Sequence, residues 1–314
     1  MMRKKLIMLL MLSTVSAKAQ TRPAEVGIIL DNDLYVSTVN DQYYTNGVEL
    51  FYRQIIPHKK EIVNKKILEF RLGQYIYNPQ TNKALDLSKN DRPFAGYLFG
   101  EAGINTFYQD QSVLKIGTQL GYVGPNAFGE EFQKGFHKLF GYNKIYGWSH
   151  QVKNALAVQV NVFYSKQLFT GQQRFVDFHI QTEGSLGTVF TGVSVGPVVR
   201  LSLIKLIPIY NSNLYDGALQ SDKNKTADRE FYFYIMPKLN YQAYDATIQG
   251  SLFNEDSPVT FPLEPIRFNS EAGFKFRRNH WNLSYAFIYR SKELKNNDVK
   301  SYYYGSIGIG YLLY

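Results

Sequence analysis

Cysteine is missing from the 314-residue chain, so no disulfide framework holds it. Long apolar runs are missing too: beyond residue 20 none approaches eighteen residues, which excludes a transmembrane helix. No His/Cys cluster shows zinc spacing. Basic residues form no stripe and accompany no helix-in-groove motif, so nucleic acid is not an expected partner. Their excess is small in any case. The formal charge of +9 falls to +5 without Arg3, Lys4, Lys5 and Lys18, a mild bias toward an anionic surface such as lipopolysaccharide.

Aromatic residues are what the chain has in abundance. It carries 25 Tyr and 22 Phe while its mean hydropathy stays negative. Soluble proteins of that hydropathy rarely hold so many rings. An outer-membrane barrel does, because aromatic girdles line both of its interfaces. The chain opens with Arg3, Lys4 and Lys5, an apolar stretch over 6–15, and Ala17-Lys18-Ala19 before Gln20. That order predicts a secretory signal peptide over 1–19 and one exported β domain over 20–314.

Period-two alternation supports the barrel. Trp281, Leu283, Tyr285, Phe287 and Tyr289 share one face against Asn282, Ser284, Ala286 and Arg290; runs at 266–277, 231–241 and 152–164 behave alike. An aromatic face opposed to a polar one suits a wall with lipid outside and a polar lumen inside. The runs predict twelve antiparallel strands near 24–33, 43–56, 65–77, 93–108, 112–123, 149–168, 173–184, 187–204, 229–244, 264–278, 279–291 and 300–314. The last ends on Tyr314, like an outer-membrane insertion signal, with aromatics on both faces. Long loops near 34–42, 78–92, 124–148, 245–263 and 292–299 should face outward, opposite short turns. Residues 205–228 break the rule, being long on the periplasmic side. A soluble β-sandwich is the competing architecture.

Two features suggest chemistry. Asp31-Asn32-Asp33 and Thr45-Asn46-Gly47 end and begin adjacent strands, offering oxygen donors suited to a hard cation such as Ca²⁺ at the rim. Residues 127–140 read as a loop helix, with Phe128, Phe132, Phe136, Leu139 and Phe140 near one stripe and Glu130, Gln133, Lys134 and His137 on another. Helix geometry alone describes a surface helix resting its apolar face on lipid or on the rim. The sharper reading makes His137 a general base oriented by Gln133 or Glu130. His58, His150, His179 and His280 occupy a basic turn, strand ends and a lumen row. Gly-x-Ser-x-Gly is absent, which leaves a serine hydrolase poorly supported.

The segments Leu30-Asp31-Asn32-Asp33, Tyr44-Thr45-Asn46-Gly47, Tyr77-Asn78-Pro79, Asn90-Asp91-Arg92-Pro93-Phe94-Ala95-Gly96 and Gly121-Tyr122-Val123-Gly124-Pro125-Asn126-Ala127 stand in an order that resembles the LpxR family of lipid A 3′-O-deacylases. The resemblance continues through Glu131-Phe132-Gln133, His137, Trp148 and the stretch 244–250. It implies a twelve-stranded barrel with a site between its wall and a helix from an extracellular loop. It further implies Ca²⁺-assisted ester hydrolysis with His137 as general base and Gln133 beside it. Asn32, Asp33 and Thr45 would form the metal and oxyanion side, with Asp33 the metal ligand. Lys83, and Arg92 with it, would meet a lipid A phosphate or sugar. Two departures stand out. The 77–83 loop is a residue shorter than in other members, and Asn143 stands where some carry an acid, a place Glu130 or Glu131 would have to fill.

The expectation is therefore a monomeric lipid A deacylase in the outer membrane of a Gram-negative bacterium, its site facing the outer leaflet. The rivals are a phospholipase or other lipid esterase of the same fold, and a non-enzymatic pore.

Overall fold

Alternation along the sequence becomes the two faces of one closed wall in the computed structural model, which describes residues 22–36, 43–80, 90–141, 146–172, 174–220, 229–298 and 300–313. The twelve strands are β1 (Ala24–Asn32), β2 (Tyr43–Ile56), β3 (Val63–Asn78), β4 (Ala95–Tyr108), β5 (Val113–Val123), β6 (Ala155–Thr170), β7 (Val176–Gly187), β8 (Phe190–Leu201), β9 (Glu230–Asp245), β10 (Ile266–Arg278), β11 (Trp281–Arg290) and β12 (Tyr302–Leu313). Each pairs antiparallel with its chain neighbours. The ring closes where β1 meets β12, from Ala24 opposite Leu313 to Asn32 opposite Gly305. Closure leaves no edge for another chain to extend.

Trp281, Leu283, Tyr285 and Phe287 are exposed on the outer face, as are Ile266, Phe268 and Phe274 of β10 and Leu156, Val158, Val160 and Val162 of β6. The structure separates the faces of β12 that the sequence left mixed: Tyr303, Ile309 and Tyr311 point out, and Tyr302, Tyr304 and Leu312 point in. Among the described residues no helix is long and apolar enough to cross a membrane. The wall crosses with strands. Short turns share one rim with both chain ends, and that rim is periplasmic.

β6 starts six residues later than the alternation predicts. Trp148–His150 forms a 3₁₀ turn, and the N–H of Val152 goes to the carbonyl of Phe94 at 2.9 Å, so the ladder with β5 first forms at Ala155 opposite Val123.

The long periplasmic connection between β8 and β9 has a clear place. Its described part, through residue 220, turns into the lumen and plugs it. Lys65 on β3 donates to the carbonyl of Gly217 at 2.7 Å, to Asn211 at 3.2 Å and to the carbonyl of Leu219. Arg277 donates to the carbonyl of Ala218, and Lys275 to those of Asn213 and Leu214. Asp216 lies 3.2 Å from Arg53 and 2.6 Å from Lys115. Burial alone would raise the Asp216 carboxyl, but Arg53, Lys115, Lys275 and Arg71 outweigh it and hold it well below the usual carboxylate range. Above the plug lies a cavity of about 490 Å³ lined by both signs of charge, among them Arg71, Lys238, Glu101 and Glu271.

Candidate functional site

The corner between β1 and β2 is built by side-chain amides. Asn32 ends β1 in extended backbone, and its Oδ1 accepts from the N–H of Leu34 at 2.7 Å, capping the 3₁₀ turn Asp33–Tyr35. Its Nδ2 donates to Asn46 Oδ1 at 2.7 Å, directly across the ladder. The turn lies over β12, where a Cβ on Gly305 would come within 2.6 Å of Tyr35. Asp33 is buried in that turn, and a carboxyl taken so far from water needs donors or a cation around it.

Thr45 sits at a register shift between Tyr44 and Asn46. The extra residue re-aims the chain. Asn46 points out of the barrel, whereas Tyr44 turns in and donates to Asp31 at 2.8 Å. A Cβ on Gly47 would lie 2.0 Å from the Tyr44 hydroxyl, so this packing requires glycine.

Register places four outward positions in one row at the extracellular rim. Asn32 faces Asn46, Asn46 faces Ile76, and Ile76 faces Gly96 on successive strands. With neighbouring strands about 4.8 Å apart, the row spans roughly 14 Å. Helix α1 (Gly129–Phe140) begins on its far end, where a Cβ on Gly96 would meet Gly129 at 3.2 Å. Gln74 of β3 donates to the carbonyl of Ala127 at 2.6 Å just before the helix. Trp148 stacks on Phe94 with centroids 5.1 Å apart and donates its indole N–H to Gln133 Oε1 at 2.8 Å. Gln133 is 1% exposed, and its Nε2 finds no hydrogen-bond partner among the described residues.

Gly129, Gln133 and His137 fall at successive i+4 positions and share the stripe that faces the wall. Phe128 and Phe132 are exposed on another side. The helix thus turns Gln133 toward the barrel, while Phe132 shares the exposed side with Glu131, Lys134 and Lys138. His137 is half-buried, two turns beyond the Gly96 seat and about 12 Å along the helix axis. Its carbonyl accepts from the N–H of Gly141, which closes the helix at φ +75°. Glu130, the other residue expected to orient His137, pairs instead with Lys134 at 2.5 Å.

Arg92 lies elsewhere, inside the extracellular mouth of the barrel. It is 1% exposed and stacks 4.3 Å over the ring of Tyr77. It donates to Thr247 Oγ1 at 3.1 Å and lies 3.6 Å from Glu293. Asp245 caps helix α2 (Ala246–Gln249) by accepting from the N–H of Thr247, so Arg92 fastens that loop to the Glu293 loop. Asp91 beside it accepts from Tyr43 at 3.0 Å and from the N–H of Gln80 at 2.9 Å. Burial raises the Asp91 carboxyl against those bonds. Lys83 and Asn143 lie outside the described residues, as does the expected signal peptide, and the description of Thr45 stops at its backbone.

For a hard cation the corner offers one carboxylate, Asp33, and the Asn32 amide oxygen, one of whose lone pairs is taken by Leu34. Among the described residues no three His, Asp or Glu side chains converge. Oxygen donors suit Ca²⁺ in kind, and a single carboxylate makes for weak binding. The sequence pointed to Asn32, Asp33 and Gln133. It counted Asn46 among the oxygen donors and gave Ile76, Gly96 and Trp148 no roles, because only register brings Asn46, Ile76 and Gly96 into one row.

A family model described as "Outer membrane protein LpxR" matches residues 6–313. The structure of LpxR from Salmonella typhimurium superposes with a TM-score of 0.74 at 19% identity, covering 91% of this chain and 99% of that one. The beta domain of the Bordetella autotransporter BrkA follows at a TM-score of 0.43 and 8% identity, covering 92% of this chain and 98% of that one. No curated protein sequence matches.

Proposed function

Because this chain belongs to the LpxR family of outer membrane proteins, we propose that it is a lipid A deacylase. It hydrolyses the 3′-acyloxyacyl ester of lipopolysaccharide at the outer leaflet. The observation that carries this reading is the helix seated through Gly129 on Gly96, at one end of the outward row that begins at Asn32, with Gln133 buried beneath it. A site on the lipid side of the wall lets an acyl chain reach it without leaving the membrane. A site inside the lumen could not do this.

In this reading neutral His137 takes a proton from water as the water attacks the ester carbonyl. Gln133 Nε2, buried and unspent, donates to the oxygen that becomes negative. Asn32, Asp33 and Thr45 hold the opposite side, and Asp33 is the carboxylate that would ligate Ca²⁺. When bound, Ca²⁺ supplies fixed positive charge beside the developing oxyanion. Lys83 meets a phosphate or sugar of the headgroup. Arg92 acts as a positioning residue through the two loops it fastens.

Lipid A extracted from cells expressing wild type and His137→Ala tests the proposal. Mass spectra should show acyl loss with wild type, reduced about 10²–10⁴-fold by the substitution. Identical acylation in both would reject the catalytic role of His137. Glycerophospholipid offered in parallel separates a lipid A deacylase from a general lipid esterase.

A further inference from the structure

The outer face of the wall holds a groove at the rim opposite the candidate site. It has a volume of about 630 Å³ and runs over β3, β4 and β5 beneath the turn that joins β2 to β3. Register explains its shape. Along the outward side of β4, Ala102 stands between Phe70 and Thr118, and Thr106 between Lys66 and Leu114. Small side chains between large ones leave a trough. Thr106, though outward, is only 8% exposed and lies on the floor. Leu68, Ile104 and Ile116 line the upper part, and Ile62 of the turn overhangs the lower end.

Two cations, Lys60 and Lys66, stand at that lower, periplasmic end. Neither has a carboxylate partner among the described residues. The turn that carries Lys60 is tied to the wall: the carbonyl of Lys60 accepts from the N–H of Val63 at 3.1 Å, and the carbonyl of Ile62 accepts from the N–H of Gln109 at 3.0 Å. An apolar trough that ends in two unpaired ammonium groups at a membrane–water boundary has the chemistry of a lipid with its charge at one end.

We propose that this groove binds one anionic glycerophospholipid of the inner leaflet. Its phosphate sits between Lys60 and Lys66, and an acyl chain lies along Thr106, Ala102, Ile104 and Ile116. Lipid A is the wrong occupant, since its headgroup lies at the other rim. The ordinary belt of lipid around any barrel would show no preference for charge at one site, whereas each lysine here adds about a fivefold preference for an anionic headgroup.

Native mass spectrometry of the detergent-purified barrel tests this, with dioleoylphosphatidylglycerol titrated against dioleoylphosphatidylcholine. Wild type should retain a single phosphatidylglycerol at detergent concentrations that strip phosphatidylcholine, a preference of about tenfold or more. Lys60→Gln with Lys66→Gln should bring the two lipids level. Ala102→Leu, which keeps both cations and fills the trough, should lower retention of the bound lipid at least fivefold. All three positions face outward or lie in a turn, and heat-modifiable gel migration verifies that each variant remains a folded barrel. Equal retention of both lipids by wild type, or variants that bind as wild type does, would overturn the proposal.

Discussion

A methyl group on Gly47 would occupy the place of the Tyr44 hydroxyl and push it off Asp31. Gly47→Ala is expected to cost about 1–3 kcal/mol, the range for stranding a buried polar group, read as a lower midpoint for the loss of heat-modifiable migration. Trp148→Phe keeps a ring on Phe94 but removes the indole N–H and the part of the indole that packs on Gly129, leaving the Gln133 carboxamide oxygen without its donor. The barrel should remain intact while deacylation falls, with kcat affected more than KM because the helix, not the lipid surface, has shifted. An unchanged kcat would separate Trp148 from the site. At this scale the sequence was legible where polar residues cluster at a strand end, as at Asn32 and Asp33. At Tyr44 the pattern is silent: strict alternation from Gly47 would send that ring outward, and an inserted residue turns it in without leaving a mark in the sequence.

Elements were read well when their partners are near in sequence. Period two located all twelve strands, and period 3.6 located α1 with both of its stripes. Which stripe faces the wall was not legible. Periodicity does not show that Gln133 is held inward by the indole N–H of Trp148, fifteen residues on. The plug was unreadable for another reason: its contacts are remote, as between Lys65 and Asn211, 146 positions apart. Its latch makes an acid-sensitive element. Asp216 has a depressed pKa in the folded state, so its contribution is present above the unfolded carboxylate range and disappears as pH falls through the lowered value. Asp91, raised by burial, has the opposite sign and gains on acidification. Plug retention should therefore be flat from about pH 5 to 8 and weaken only in stronger acid. Asp216→Ala leaves Lys115 without its carboxylate at neutral pH, while Arg53 keeps Glu25 and Glu69, with a cost of about 1–3 kcal/mol. In planar bilayers the variant should conduct where wild type is nearly silent. Silence in both would show that the segment stays without its latch.

The molecule as a whole divides its surfaces by task. The lumen is plugged from the periplasmic side and crowded at its mouth by Tyr43, Tyr77, Arg92 and Tyr302, which leaves transport little room. The outer wall carries the candidate chemistry at one rim. A chelator should abolish lipid A deacylation, and Ca²⁺ should restore it with half-maximal effect in the high micromolar to millimolar range, on the order of 10⁻⁴–10⁻³ M, as a single carboxylate allows. Full activity in chelator would remove the cation from the scheme. Fold class was legible in the sequence because alternation came with an excess of Tyr and Phe and a terminal aromatic, a combination that suits a lipid-facing wall. The site was legible only in part, because it forms between a loop helix and a face that register assembles.

The plug also leaves the order of assembly free. It hangs between the periplasmic ends of β8 and β9 and turns inward from that side. A flap tethered there reaches its seat through the periplasmic opening and needs no passage through the crowded extracellular mouth, so the seam of β1 with β12 can zip before or after it docks.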